Sequence, residues 1–305
     1  HLRGARRVYY SPTGVLHRVA FAALPISPDS CLTDRHELHL VSTTAEVLRP
    51  HRNPPIRTAA LFGGIHYSPD QGVTATTPDT SKQRAAIEET FNYLEETRRE
   101  TDAIARDLAQ ANVSLKHFTG DNATEAAFYQ LDGTNTDIIH LATHGFYIDA
   151  RNAGTNAFLR NHSGGLTSSM QRTGLAFAGA NATWEGVLRP DSDDGILTAG
   201  ELSLLDLSGT DLVVLSACET ALGDYNTEGV WGLQRGFKEA GARSLLLSLW
   251  NVSDAATATL MQDFYRRWLG GTPKGKAFRQ AVDALRRTHP NPFYWAAFVM
   301  LDADD

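Results

Sequence analysis

Residues Thr210 to Leu222 read TDLVVLSACETAL: an acidic start, an unbroken apolar run, and an abrupt polar end at Ser216, Ala217 and Cys218. Leu212 to Ser216 is long enough for a strand buried on both faces, the kind that fills parallel sheets. A cysteine where such a strand stops, followed by Glu219, Thr220 and Gly223, falls at the carboxyl edge of a sheet. Open α/β sheets hold their ligands at that edge.

Thr136 to Gly145, TDIIHLATHG, has the same form and ends at His144-Gly145. As neighbouring parallel strands, the two runs bring Cys218 and His144 out side by side. The thiolate is the nucleophilic form of cysteine and a free thiol is mostly protonated at neutral pH, so a base beside it completes the chemistry. Gly145 permits a tight turn and leaves an N–H open to a bound carbonyl. Taken singly, each residue has a bland reading: a buried cysteine packs as a small hydrophobe, and a strand-end histidine is hydrogen-bonded scaffold. The pairing points to a site, and spacing goes no further.

Outward from these runs, Thr58 to Ile65 (TAALFGGI) reads as the first core strand, with Gly63-Gly64 leaving its carboxyl end open. A helix is expected over Arg84 to Ala111 and a strand over Val113 to Phe118. Asn122 with Glu125 forms a capping box that opens a helix through Phe128 and Leu131. Beyond Cys218 the pattern predicts a helix from Glu228 to Ala242 ended by Gly241, and a buried strand from Arg243 to Trp250. An amphipathic helix from Asp254 to Leu269, a helix starting at Thr272-Pro273 and a last strand from Phe293 to Leu301 complete the chain. Alternating strands and helices describe a parallel sheet with crossover connections. Ahead of this unit, Val8 to Leu24 reads as a hairpin turning at Ser11–Gly14. Leu38 to Val41 is a short strand, and Arg49 to Pro55 a Pro-rich break. Asp149 to Gly200, rich in Asn, Gly, Ser and Thr, separates the two strands of interest. It is a pocket wall, a mobile lid, or surface decoration.

The 305 residues, 42% hydrophobic and 21% charged, suffice for a full core. A net charge of −7 supplies no basic field for nucleic acid or an anionic membrane. No apolar run has bilayer-crossing length and no secretory leader is visible. With Cys31 and Cys218 as the two cysteines there is no disulfide framework, which suits a cytoplasmic protein. A start at His1 reads as a piece of a longer chain. Gly270 to Lys276 matches a phosphate-loop opening, but Ala277 replaces the magnesium-binding hydroxyl and a helix precedes it, which argues against nucleotide. His140 and His144 lack an intervening Glu base, and on a strand they stand about 13 Å apart, too far to share a metal. No Gly-x-Ser-x-Gly elbow occurs. No cofactor or metal is called for.

The words HLATHGF, LTAGEL, LVVLSACET and SLWNVSD, in that order, resemble the CHAT family of caspase-like cysteine peptidases, to which separase is a more distant relative. The likeness runs from about Val8 to Leu301. It implies an α/β, caspase-like three-layer sandwich, its central sheet mostly parallel with helices on both faces. Residues 1–55 would be an N-terminal β extension packed on the core. Residues 56–305 would be the peptidase domain, with the 149–200 insertion. The implied activity is a cysteine endopeptidase acting on a protein or peptide substrate. In it Cys218 is the nucleophile, His144 the base, and the N–H groups of Gly145 and Cys218 the oxyanion hole. WNVSD resembles the separase segment whose final Asp receives a basic P1 side chain, so Asp254 is the candidate selector, with Glu219 and Asp224 as rival acids. Ser253 as N-cap and Asp254 in a first helical turn also have an ordinary structural reading. The resemblance further implies an upstream helical-repeat sensor region or regulatory partner, and some prokaryotic relatives serve in antiphage defence. A catalytically silent interaction module is the alternative. A thiol-dependent acyl transferase or amidase would need a closed pocket.

Overall fold

The computed structural model describes residues 2, 4–49, 54–69, 90–149, 157–162, 168–187, 193–216, 224–226, 229–250 and 252–302. Its main sheet uses eight strands: β1 (Arg7–Tyr10), β2 (Glu37–Leu40), β3 (Thr58–Ile65), β4 (Ser114–Gly120), β5 (Ile138–Leu141), β6 (Leu212–Leu215), β7 (Ser244–Ser248) and β8 (Phe298–Leu301). They lie in the order β1-β2-β8-β7-β6-β5-β3-β4. Every neighbouring pair is parallel except β7 and β8, which run antiparallel. The longer helices are α1 (Glu95–Gln110), α2 (Leu233–Glu239), α3 (Asp254–Leu269) and α4 (Lys274–Thr288).

Alternate residues of the central strands face different cores. Ala59, Leu61, Ile138, Leu212, Val214 and Leu246 pack with α1, α3 and α4. Ala60, Phe62, Ile139, Leu141, Val213, Leu215, Leu245 and Leu247 pack with α2 and with the short elements of the 149–200 insertion. Burial on both faces is why these strands are continuous apolar runs. The repeated Thr-Asp start is also explained. Asp137 accepts from the backbone N–H groups of Arg57 and Thr58 at 2.8 and 2.9 Å, fastening the start of β3 to that of β5. Asp211 receives the buried Lys274 ammonium at 2.8 Å, fastening β6 to α4.

Helix α3 forms over the expected span, and Leu260, Met261, Phe264, Tyr265 and Trp268 are its buried stripe. Several expectations need correction. Val8 to Leu24 is not a hairpin: after β1 the chain makes two 3-10 turns, and β1 pairs in parallel with β2. Helix α1 begins at Glu95; just ahead of it Phe91 and Asn92 lie against His144, and 84–89 lie outside the described residues. The cap after β4 is Thr124, whose hydroxyl accepts from the Ala127 N–H at 3.0 Å; Asn122 does not cap. Glu228 to Ala242 is split into a strand, Gly229–Trp231, and α2, with Gly232 at φ 155° between them. Phe293 to Leu301 divides similarly, because Asn291 caps a short helix, Pro292–Trp295, before β8 starts at Phe298. Pro273 sits at the cap position of α4, one residue ahead of its first turn.

Candidate active site

Strands β5 and β6 are hydrogen-bonded neighbours with Leu141 opposite Leu215, and the Ser216 N–H continues the pairing by donating to the Leu141 carbonyl at 2.9 Å. His144 lies three residues past Leu141, and Cys218 three past Leu215. Strands β5 and β6 therefore reach the carboxyl edge of the sheet in register, at Leu141 and Leu215. Cys218 and Glu219 lie outside the described residues. Asp224 begins a two-stranded ribbon, Asp224–Asn226 with Gly229–Trp231, and Asp254 is the first residue of α3.

His144 is held on three sides. Its Nε2 is 2.8 Å from the carbonyl oxygen of Asn92, and a carbonyl can only accept, so Nε2 carries the proton and Nδ1 keeps its lone pair. The rings of Tyr67 and Phe91 lie 5.0 and 5.5 Å from the imidazole, centroid to centroid. Burial among them lowers the His144 pKa below its ordinary value, with the Asn92 carbonyl pulling weakly the other way.

The strap that carries Asn92 is itself fastened. Asn181 accepts from the Phe91 N–H at 2.7 Å and donates to the Phe91 carbonyl at 3.0 Å and to Ser68 Oγ at 2.8 Å. Thr143, buried just before His144, donates to the Ala176 carbonyl and shares a 2.8 Å hydrogen bond with the Tyr67 hydroxyl. Asn181 and Ala176 belong to the 149–200 insertion, and so does Trp184, whose ring lies 4.9 Å from Phe91 and 5.0 Å from Phe146. The described part of that insertion thus packs against the strap and against the residues flanking His144.

Gly145 opens a second, three-stranded antiparallel sheet made of Gly145–Tyr147, Thr173–Ala176 and Ile196–Thr198. Gly145 sits opposite Leu175, and the Ala176 N–H reaches the His144 carbonyl at 2.9 Å beside that pair. In an antiparallel ladder this places Gly145 at a wide, non-bonded position, so its N–H is directed away from strand Thr173–Ala176. LTAGEL contributes a complete capping box, Thr198 with Glu201.

Sequence reasoning missed Asn92, Tyr67, Thr143 and Asn181. Asn92 acts through its backbone carbonyl, which leaves no side-chain signature. Asn181 stood within TGLAFAGAN, a regular patch in an irregular stretch, and that regularity was the available signal. His140, set aside as a metal ligand, is fully buried beneath the sheet against Glu100 and Tyr265. Among the described residues no group of three or more His, Cys, Asp or Glu is placed to hold a metal ion, and no helix is long and apolar enough to cross a membrane.

A family model described as the CHAT domain matches residues 1–303. The chain belongs to the CHAT domain family. Tetratricopeptide repeat protein 28 of Mus musculus is 33% identical over 111 residues, 36% of this chain and 4% of that protein. Its Homo sapiens counterpart is 31% identical over 117 residues, 38% of this chain and 5% of that protein. The match thus spans a small fraction of those relatives' length. Among solved structures, the Arg-specific cysteine proteinase gingipain R superposes with a TM-score of 0.52 at 9% identity, covering 88% of this chain and 55% of that one. Separase from Saccharomyces cerevisiae, in its complex with securin, gives 0.48 at 11% identity, over 87% of this chain and 13% of that one. With its mostly parallel sheet and its superposition on gingipain R, the CHAT chain has a caspase-like α/β fold.

Proposed function

We propose that this CHAT domain is a cysteine endopeptidase working through a Cys218–His144 dyad. The observation that carries the reading is the hydrogen bond of His144: the Asn92 carbonyl holds the proton on Nε2, which leaves Nδ1 as a base past the end of β5, the strand paired with β6, and Cys218 follows β6 by three residues in the sequence. In this mechanism Nδ1 takes the thiol proton as the sulfur attacks the scissile carbonyl carbon. The carbonyl electrons move onto oxygen, where the N–H groups of Gly145 and Cys218 stabilise the charge. The imidazolium then passes its proton to the leaving amine as the C–N bond breaks, and water hydrolyses the thioester. The orientation of the Gly145 N–H supports its part in this scheme.

Asp254 is the proposed selector of a basic P1 side chain, with Glu219 and Asp224 as the acids to test beside it. The control element is proposed to be a helical-repeat region or a regulatory protein, in signalling or defence; the relatives' name, tetratricopeptide repeat protein 28, supports the repeat.

The test is labelling of the intact chain with peptidyl acyloxymethyl ketones bearing Arg, Leu or Asp at P1, followed by mass mapping. Labelling at Cys218 by the Arg probe, and its loss in Cys218→Ala and His144→Ala, is the expected result. Equal labelling of Asp254→Ala by the Arg probe would remove Asp254 as selector. No labelling by any probe, with or without a repeat-bearing partner, would favour a silent interaction module.

A further inference from the structure

We propose that Glu100 is a positioning residue: with His140, Tyr265 and Ser216 it forms a buried polar clamp that fixes the exit of β6 against β5. Its effect on catalysis rests on the peptidase reading; the clamp itself does not.

The four groups come from four elements. Glu100 lies on α1, His140 on β5, Tyr265 on α3, and Ser216 is the first residue past β6. Glu100 is 3% exposed, and His140 and Tyr265 are fully buried, in the core between the sheet and the α1–α3 layer. Glu100 Oε2 accepts from the Ser216 hydroxyl at 3.0 Å, and Oε1 is 3.1 Å from His140 Nε2. His140 Nδ1 is 3.1 Å from the Tyr265 hydroxyl. One proton arrangement gives every one of these donors an acceptor: Tyr265 O–H to Nδ1, Nε2–H to one carboxylate oxygen, and Ser216 O–H to the other. Burial and the nearby Glu100 carboxylate both raise the Tyr265 pKa, so the phenol keeps the proton it donates.

A carboxylate and an imidazole in an otherwise apolar layer add little to stability, since apolar side chains of equal volume commonly serve a core as well. What they add is direction. His140 pairs with Val214 across β5 and β6, and Ser216 stands two residues beyond Val214. Glu100 thus bridges the two strands at the point where β6 leaves the sheet, while the Ser216 N–H is already bonded to Leu141. On the opposite face Thr143 pins the exit of β5 through Ala176 and Tyr67. The two strand exits are therefore each held by a side chain, from opposite faces. On the peptidase reading, the nucleophile Cys218 follows two residues beyond Ser216 in the sequence, so the clamp bears on its placement.

The experiment compares Ser216→Ala, Ser216→Thr and Glu100→Gln in the full chain, reading hydrogen exchange, melting temperature and turnover. Gln retains one acceptor oxygen and turns an amide donor toward the second partner, so it breaks one of the two links. Ser216 is at the rim of the core, so its variant folds even where Glu100→Gln does not. The expected result for Ser216→Ala is faster exchange confined to peptides over 138–145 and 210–218, with melting almost unchanged and Ser216→Thr restoring protection. Turnover should fall about tenfold to a hundredfold in kcat with KM little changed, the loss that a misplaced reacting group produces. Unchanged exchange at the strand exits overturns the clamp, and faster exchange with full kcat overturns the positioning role of Glu100. If the wild-type chain neither turns over substrate nor labels, the peptidase reading fails, and the exchange pattern alone decides the clamp.

Discussion

With the Nε2–H of His144 committed to Asn92, the proposed catalysis depends on Nδ1 staying unprotonated. Burial lowers the His144 pKa, so the neutral ring persists to more acid pH than an exposed histidine allows. The acid limb of kcat/KM should therefore lie below the ordinary histidine value of about 6.5. Opening the aromatic wall with Tyr67→Ala should move it upward; an acid limb unmoved by that change would contradict the role of burial. Glu125 carries the opposite sign. Desolvation first, then repulsion from Asp194 and Glu201, push its carboxyl up to about 9, against the Gly195 N–H that favours the charged form. The folded chain then keeps a proton that the unfolded chain releases above about 4.3. Its contribution to stability is full below that value and is lost as pH rises through about 9. Melting curves of Glu125→Gln and wild type between pH 5 and 9 should show the variant gaining relative stability toward the alkaline end. Parallel curves would rule this out. His144 was legible in the sequence as a candidate because a titratable side chain ends an apolar run; Asn92 was not, because its contact is made by the backbone carbonyl.

At the scale of elements, the parallel strands were legible because burial on both faces writes them as apolar runs. Helix starts were less so, because a cap is chosen by local geometry: Thr124 takes the role that Asn122 could also have filled, and Asn291 turns half of an apolar run into helix. Gly63 and Gly64 show a further limit. Their flexibility suggested an open strand end, yet they admit α1 at close range. A Cβ at Gly63 would lie 2.7 Å from the Thr97 carbonyl oxygen, and Gly64, at φ 60°, donates its N–H to the Thr97 hydroxyl oxygen at 3.0 Å. Gly63→Ala should therefore push α1 off β3 and cost about 1–3 kcal/mol, the usual range for overpacking. Gly133→Ala, in open space at φ 65°, carries only the left-handed backbone penalty of about 1–2 kcal/mol and leaves α1 in place. Urea unfolding gives the two losses. Hydrogen exchange in α1 should change for Gly63→Ala and not for Gly133→Ala.

Over the whole molecule the antiparallel step between β7 and β8 divides the sheet. On one side five parallel strands carry both cores and the candidate site; on the other, β8 leads to β2 and β1 from the N-terminal segment. That side is joined thinly. β2 meets β8 at one registered pair, Leu40 with Leu301, and a cavity of about 620 Å³ lies between the segment and α4. Asp302 does much of the joining. Its N–H donates to the Leu40 carbonyl at 2.9 Å, its Oδ1 accepts from the Ser42 N–H at 2.8 Å, and its Oδ2 is 2.8 Å from the Lys238 ammonium of α2. The acid, at the end of the last apolar run, carried no sequence signal for this, because its partners lie some 60 and 260 residues away. Asp302→Ala should cost about 1.5–3 kcal/mol, the range for a hydrogen bond to a charged group. The loss should be uneven: amides of β1 and β2 should exchange through a local opening well before those of β5 and β6, which continue to report global unfolding. Asp302→Asn keeps the acceptor for Ser42 and should restore most of that protection while still losing the Lys238 ion pair. A uniform loss over all eight strands would instead mean that the N-terminal strands and the parallel core unfold as one unit.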